Sequence, residues 1–289
     1  MGSKTQNIDL SFTEPYIKDM PLSGTVTLYN WYYSYNEYDK DSFGLGLSLS
    51  YPIFSYTRAR LGYVYDLADI RNISTNAPRS IKELSGKNVK SSITTSLSYD
   101  SRDNLFVPTE GASLTGTYEF AGLGGDVGFM KYIGEAAYYI PLFWEFTLAP
   151  HAKAGYVNKT KDKKLPDYEK FYLGGISSLR GFERDDLAPR DSEGNPIGGD
   201  KFVQFNLDLL FPLLKEQGVF GGVFFDTGRV YADDEDPELN PADLRKSAGL
   251  GIRWLSPMGP VRLEYGFILD QQDTDHGPGN WEFSMASAF

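Results

Sequence analysis

Apolar residues alternate with small or polar ones along most of this 289-residue chain. In one run Leu45, Leu47 and Leu49 are separated by Gly46 and Ser48. This period of two places successive side chains on opposite faces of a β-strand. Thirteen segments carry the pattern, namely 5–14, 22–35, 42–52, 56–70, 88–102, 111–121, 129–141, 144–158, 201–212, 218–231, 245–256, 259–270 and 280–289. The alternation predicts an all-β fold with about 12–13 strands.

The connections between these segments are of two kinds that alternate along the chain. Short connections rich in proline and glycine, such as 52–56 and 108–111, are followed by long charged ones, such as 71–87 and 159–200. Short turns at one rim and long loops at the other are typical of an up-and-down antiparallel barrel. We therefore predict one domain over residues 1–289, with 159–200 as its longest loop.

Segment length distinguishes two folds that both produce alternation. A soluble β-sandwich uses strands of about five or six residues, whereas a tilted membrane strand needs roughly 9–11. The segments of this chain have 10–15 residues. On their apolar face, aromatic residues such as Tyr51, Tyr99 and Trp254 lie toward the segment ends, as a girdle at a membrane interface requires. These features favour a transmembrane β-barrel, and a sandwich remains the alternative.

The charge balance and the scarcity of metal-binding side chains exclude several functions. The 39 Asp and Glu residues outnumber the 28 Lys and Arg residues, which gives a net charge of −11, whereas a nucleic-acid-binding protein needs a basic surface. The chain has no cysteine, and its histidines are His151 and His276. Nucleophile-elbow, phosphate-loop and dinucleotide motifs are absent. We therefore expect no enzyme activity, no cofactor and no metal site.

The longest loop contains the segment FYLGGISSLRGF at residues 171–182. This segment resembles the sixth extracellular loop of the BamA family of outer-membrane protein assembly factors and of the related TamA proteins and two-partner-secretion transporters. Their four-residue motif in that loop is matched by Leu179, Arg180, Gly181 and Phe182. The resemblance implies that the loop folds back into the barrel lumen.

A buried arginine in the lumen needs acidic partners, because an unpaired buried charge is costly. In the family these partners come from two late strands, and the matching positions are Asp208 and Asp226. Both occupy positions on the polar face of their alternating segments. The residues alone also allow a loop in which Arg180 is solvated and the two aspartates balance other lumen charges. The resemblance favours the pairing.

Further motifs, in the family's order, extend the resemblance over nearly the whole chain. Residues 7–16 resemble an early strand with its turn, and 224–231 and 254–266 resemble late barrel strands. A family turn motif is matched by Asp100, Arg102, Asp103, Pro108 and Gly111. The C-terminal sorting signal of the family is matched by Trp281, Phe283, Met285 and Phe289.

The resemblance implies an integral protein of the bacterial outer membrane that helps other β-barrel proteins fold and insert. The implied partners are outer-membrane lipid and lipopolysaccharide, accessory assembly lipoproteins and unfolded barrel clients, with no nucleic acid among them. Two alternatives stay open, a passive or structural outer-membrane channel and a translocation pore of the two-partner-secretion type.

The chain departs from the family in its number of strands. BamA-type barrels have sixteen strands preceded by periplasmic POTRA domains, and residues 7–16 match about the fourth strand. We therefore expect a barrel without the first strands and without POTRA domains, impaired in this form, in which Met1–Ser3 is a cloning leader. Its edges can be satisfied in three ways: parallel closure of thirteen strands, closure of twelve with residues 1–20 outside the wall, or an open edge covered by detergent or a partner. We favour a closed, smaller barrel.

Overall fold

The computed structural model describes residues 4–285 except 36, 76, 185, 236, 238, 239 and 241. Phe289 and the expected leader therefore lie outside the described residues. The described strands are β1 Lys4–Glu14, β2 Ser23–Ser34, β3 Asp39–Phe54, β4 Thr57–Arg71, β5 Gly86–Asp100, β6 Gly111–Gly125, β7 Phe129–Pro141, β8 Thr147–Lys159, β9 Lys201–Leu214, β10 Val219–Tyr231, β11 Arg245–Ser256, β12 Gly259–Ile268 and β13 Gly279–Met285.

All thirteen strands form one sheet in chain order, and each pairs antiparallel with its sequence neighbours. The predicted all-β, up-and-down antiparallel fold is confirmed, and each predicted segment corresponds to one strand. The largest difference at an end is in β6, which continues to Gly125. This residue pairs with Lys90 of β5 beyond a bulge in β6. The pattern does not predict the short α-helix α1 at Arg79–Lys82.

The alternation divides the sheet into two faces of opposite character. The outer face carries large apolar side chains that remain exposed, such as Leu97 at 52% and Leu250 at 57%. The inner face carries polar and charged side chains that are buried, such as Gln204, Asp226 and Glu264. A sheet that exposes its apolar side and buries its polar side is arranged for a lipid surrounding, because a soluble sandwich buries the apolar face.

The long loop between β8 and β9, residues 160–200, covers the inner face and provides four of the seven buried residues of one apolar cluster. Leu179, Phe182 and Leu187 of this loop pack against Phe202 of β9 and Val230 of β10. A second cluster joins the loop after β4 to α1. These apolar clusters therefore lie on the inner face of the sheet, between the strands and the loops that fold over them.

The sheet has two free edges over the described residues. β1 pairs with β2 along 11 residues, which excludes the arrangement with residues 1–20 outside the wall. Across residues 4–285, no pairing joins β1 to β13, so the described sheet is open there, and the closed form that we favoured is not seen. Within the same residues, no helix is long and apolar enough to cross a membrane.

Candidate functional site

The four-residue motif of the long loop lies against the inner wall of the sheet. Leu179 and Phe182 are fully buried in the apolar cluster beside β9 and β10, and Arg180 is 2% exposed between them. The two apolar side chains fix the loop in place, and the arginine side chain then points to the polar inner wall.

Arg180 contacts both aspartates that the sequence identifies as its partners. Its backbone N–H and its Nε donate to Asp226 Oδ2 at 2.9 and 2.8 Å, and its Nη2 donates to Asp226 Oδ1 at 2.6 Å. On the other side, Nη1 and Nη2 donate to the two oxygens of Asp208 at 2.8 and 3.2 Å. Both carboxylates are therefore bound in the bidentate manner that suits a planar guanidinium.

Sequence reasoning missed a third carboxylate and two further arginines at this site. Glu264 of β12 accepts from Arg180 Nη1 at 3.1 Å and from Arg253 Nε at 2.7 Å. Arg262 donates to the same carboxylate at 2.9 Å, and Arg253 also pairs with Asp208. Three arginines thus balance three carboxylates. The sequence does carry a signal for them. Arg253, Arg262 and Glu264 occupy the alternate positions of β11 and β12 that face the polar side of the sheet.

Neighbouring side chains complete the surroundings of Arg180. The ring of Phe224 lies 3.6 Å from the guanidinium carbon, in a cation–π contact. Asn206 donates to Asp226 at 2.8 Å and to the backbone oxygen of Ser178 at 2.7 Å, which ties the loop backbone to β9. His151 in turn hydrogen-bonds Asn206 at 2.9 Å. With its donors satisfied on several sides, the arginine has one well-defined position.

Gly181 allows the loop backbone to approach the sheet directly. Its φ is +92°, a conformation that residues with a Cβ rarely adopt. A Cβ at this position would lie 2.7 Å from the backbone oxygen of Gly266 in β12. The contact is between two backbones, so neither residue can accept a side chain without displacement of the loop from the wall.

The residues of the turn motif lie together at the short turn between β5 and β6. Arg102 pairs with Asp100 at 2.7 Å, and Asp103 accepts from the backbone N–H and the hydroxyl of Thr109 at 2.8 and 2.6 Å. Pro108 is fully buried, and Gly111 has a φ of +104°. This motif closes a turn at the rim of the sheet.

The described part of the C-terminal motif forms the last strand, β13. Trp281, Phe283 and Met285 lie on the outer face, where they are 64%, 65% and 47% exposed. Phe289 lies outside the described residues. The arrangement gives β13 an apolar outer face beside an edge without a described partner strand.

His276, in the loop between β12 and β13, is expected to titrate above the ordinary range of a histidine. Its hydrogen bond to the buried carboxylate of Asp186 raises its pKa, and Glu183 lies 3.7 Å away. The contact therefore stabilises this loop fully below the ordinary value of about 6.5 and is lost as pH rises through the elevated pKa. NMR titration of the two histidine rings, assigned with His276→Gln, measures the midpoint.

Asp186→Asn is the comparison variant for this titration, because it removes the charge but keeps the shape. It is expected to return the His276 midpoint toward about 6.5. A wild-type midpoint at or below that value would contradict the contact.

The Omp85 superfamily domain matches residues 1–289. The chain belongs to the Omp85 superfamily. The outer membrane protein assembly factor BamA of Nitratidesulfovibrio vulgaris is 34% identical over 293 residues, which cover 100% of this chain and 37% of the relative. BamA of Neisseria meningitidis is 25% identical, over 99% of this chain and 42% of the relative.

Among solved structures, BamA from Haemophilus ducreyi lacking POTRA domains 1–3 has the same fold. The TM-score is 0.82 at 22% identity, and the match covers 96% of this Omp85 chain and 61% of that chain. The predicted up-and-down antiparallel fold is confirmed. The predicted location in the bacterial outer membrane is confirmed as well. The chain spans about two fifths of the length of the curated BamA relatives.

Proposed function

We propose that this Omp85 chain is the barrel part of a factor that helps unfolded outer-membrane proteins fold and insert. The match to the Omp85 superfamily over residues 1–289 carries the proposal, because the similar relatives are named outer membrane protein assembly factors. The buried loop motif supports it, since Arg180 and its carboxylates give the barrel a fixed internal support next to β12 and β13.

The mechanism that we propose needs no covalent chemistry. A strand edge presents unpaired backbone N–H and C=O groups, and an incoming client strand can satisfy them by β-augmentation. β13 presents such an edge and an apolar outer face that continues the lipid-facing surface. The partners are unfolded barrel clients and outer-membrane lipid, with lipopolysaccharide and accessory lipoproteins as further partners of the longer protein.

A folding assay in liposomes tests this function. An unfolded outer-membrane β-barrel protein is added to vesicles that contain the chain and to protein-free vesicles of the same composition. Folded client is then followed by its faster migration in unheated gel samples. We expect faster client folding in vesicles with the chain. Client folding at the protein-free rate, together with a steady large conductance, would favour a passive channel or a two-partner-secretion pore.

A further inference from the structure

The long loop has a second charged contact with the wall, far along the sheet from Arg180. A short 3-10 helix at Asp167–Glu169 places Glu169 between two lysines of the inner face. Glu169 Oε1 lies 2.7 Å from Lys90 Nζ of β5, and Oε2 lies 2.7 Å from Lys131 Nζ of β7. Each carboxylate oxygen therefore has its own ammonium group.

This contact is buried and nearly balanced in charge. The side chains of Glu169, Lys90 and Lys131 are 12%, 18% and 14% exposed, and Glu119 of β6 lies 3.5 Å from Lys90. Burial alone would raise the pKa of the Glu169 carboxyl, but Lys90 and Lys131 outweigh it and hold the pKa well below its usual range. Removal of this carboxylate would leave two buried ammonium groups with too little negative charge nearby.

Neighbouring residues dock the same part of the loop on several elements. The ring of Tyr168 lies 3.8 Å from Lys40 Nζ of β3, and Asp167 accepts a hydrogen bond from Ser80 of α1. Two residues beyond Glu169, the ring of Phe171 packs 4.7 Å from that of Phe202 in β9. The loop therefore crosses from strands β3–β7 to strands β9–β12.

We infer that Glu169 is a second anchor, which together with Arg180 holds the long loop across the inner face of the sheet. The partners of Glu169 lie on β5 and β7, and those of Arg180 lie on β9, β10 and β12. Loss of either anchor frees its own half of the loop while the other half stays attached. Because the inference concerns the attachment of the loop, it does not depend on assembly activity.

Glu169→Gln tests this anchor, with Glu193→Gln as the matched control. Both variants make the same chemical change in the same loop, but Glu193 is exposed. Trypsin cleavage after Lys170, beside the anchor, is compared with cleavage after Arg184, which lies near Arg180.

The expected result is specific to one half of the loop. Glu169→Gln should raise cleavage after Lys170 about tenfold or more, because proteolysis follows the population of the opened segment. Cleavage after Arg184 should stay at the wild-type rate, and Glu193→Gln should match the wild type throughout. Unchanged cleavage after Lys170, or an equal rise of cleavage at both sites, would overturn the inference.

Glu169→Asp keeps the test informative if the glutamine variant does not fold. Aspartate retains the charge but is one methylene shorter, so it cannot keep both 2.7 Å contacts. We expect its cleavage after Lys170 to lie between those of the wild type and of Glu169→Gln. A wild-type rate for the aspartate variant would show that the two-lysine geometry does not hold the loop.

Discussion

Arg180→Ala is expected to detach the tip of the long loop from the inner wall and to expose it to proteases. Removal of the guanidinium leaves Asp208, Asp226 and Glu264 with two arginines in place of three, in a buried site. The loss of one partner from a buried ion pair costs about 3–5 kcal/mol. Limited proteolysis, with cleavage sites mapped by mass spectrometry, should show new cuts within residues 171–190.

Arg71→Ala is the matched control, because Arg71 forms an ion pair with Asp69 at 60% exposure outside this site. Exposed pairs of this kind contribute little to stability, so its digestion pattern should equal that of the wild type. Arg180→Lys should fall between the two, since one ammonium cannot replace a guanidinium that contacts three carboxylates. Equal protease sensitivity of Arg180→Ala and the wild type would mean that the arginine does not hold the loop.

Gly266→Ala is expected to push the loop off β12 although it adds only one methyl group. A Cβ at this position would lie 2.5 Å from the backbone nitrogen of Gly181 and 2.6 Å from the carbonyl carbon of Arg180. Both atoms belong to the backbone, so the strand or the loop must move, at a cost of about 1–3 kcal/mol or more. Thermal unfolding, followed by gel mobility of samples heated to increasing temperatures, measures this loss.

Gly116→Ala provides the control for this substitution. Gly116 also lies within a strand, and no atom lies within 4 Å of a Cβ built there. Its unfolding temperature should therefore equal or exceed that of the wild type. If both alanine variants unfold at the same temperature, the close approach of the loop to β12 does not contribute to the stability of the folded protein.

The strands and the central ion pair could be predicted because their signals are regular. A period of two fixes the face on which Asp208 and Asp226 lie without any knowledge of pairing. The resemblance of the loop motif then indicates Arg180 as their partner. Which segments form strands, and which face each side chain occupies, depend on neighbouring residues only. Both can therefore be predicted from the sequence.

The remaining contacts could not be predicted because they depend on register and on an irregular loop. Glu264 reaches Arg180 only because β12 pairs with β11 in a register that sets Glu264 opposite Gly251. Glu169 lies in a loop without periodicity, so no pattern relates it to Lys90, 79 residues earlier. The edge between β1 and β13 likewise depends on the whole sheet, and our expectation of closure did not follow from any local feature.

The position of the long loop in the chain separates its two attachments in the order of folding. Lys90 and Lys131, which hold Glu169, precede the loop, so this attachment needs no strand beyond β8. Asp208, Asp226 and Glu264 all follow the loop, and the attachment of Arg180 is complete only when β12 has formed. A loop already fixed to the earlier strands can then guide the pairing of the later ones. Arg180 makes all of its contacts only when β9, β10 and β12 are paired in the correct register.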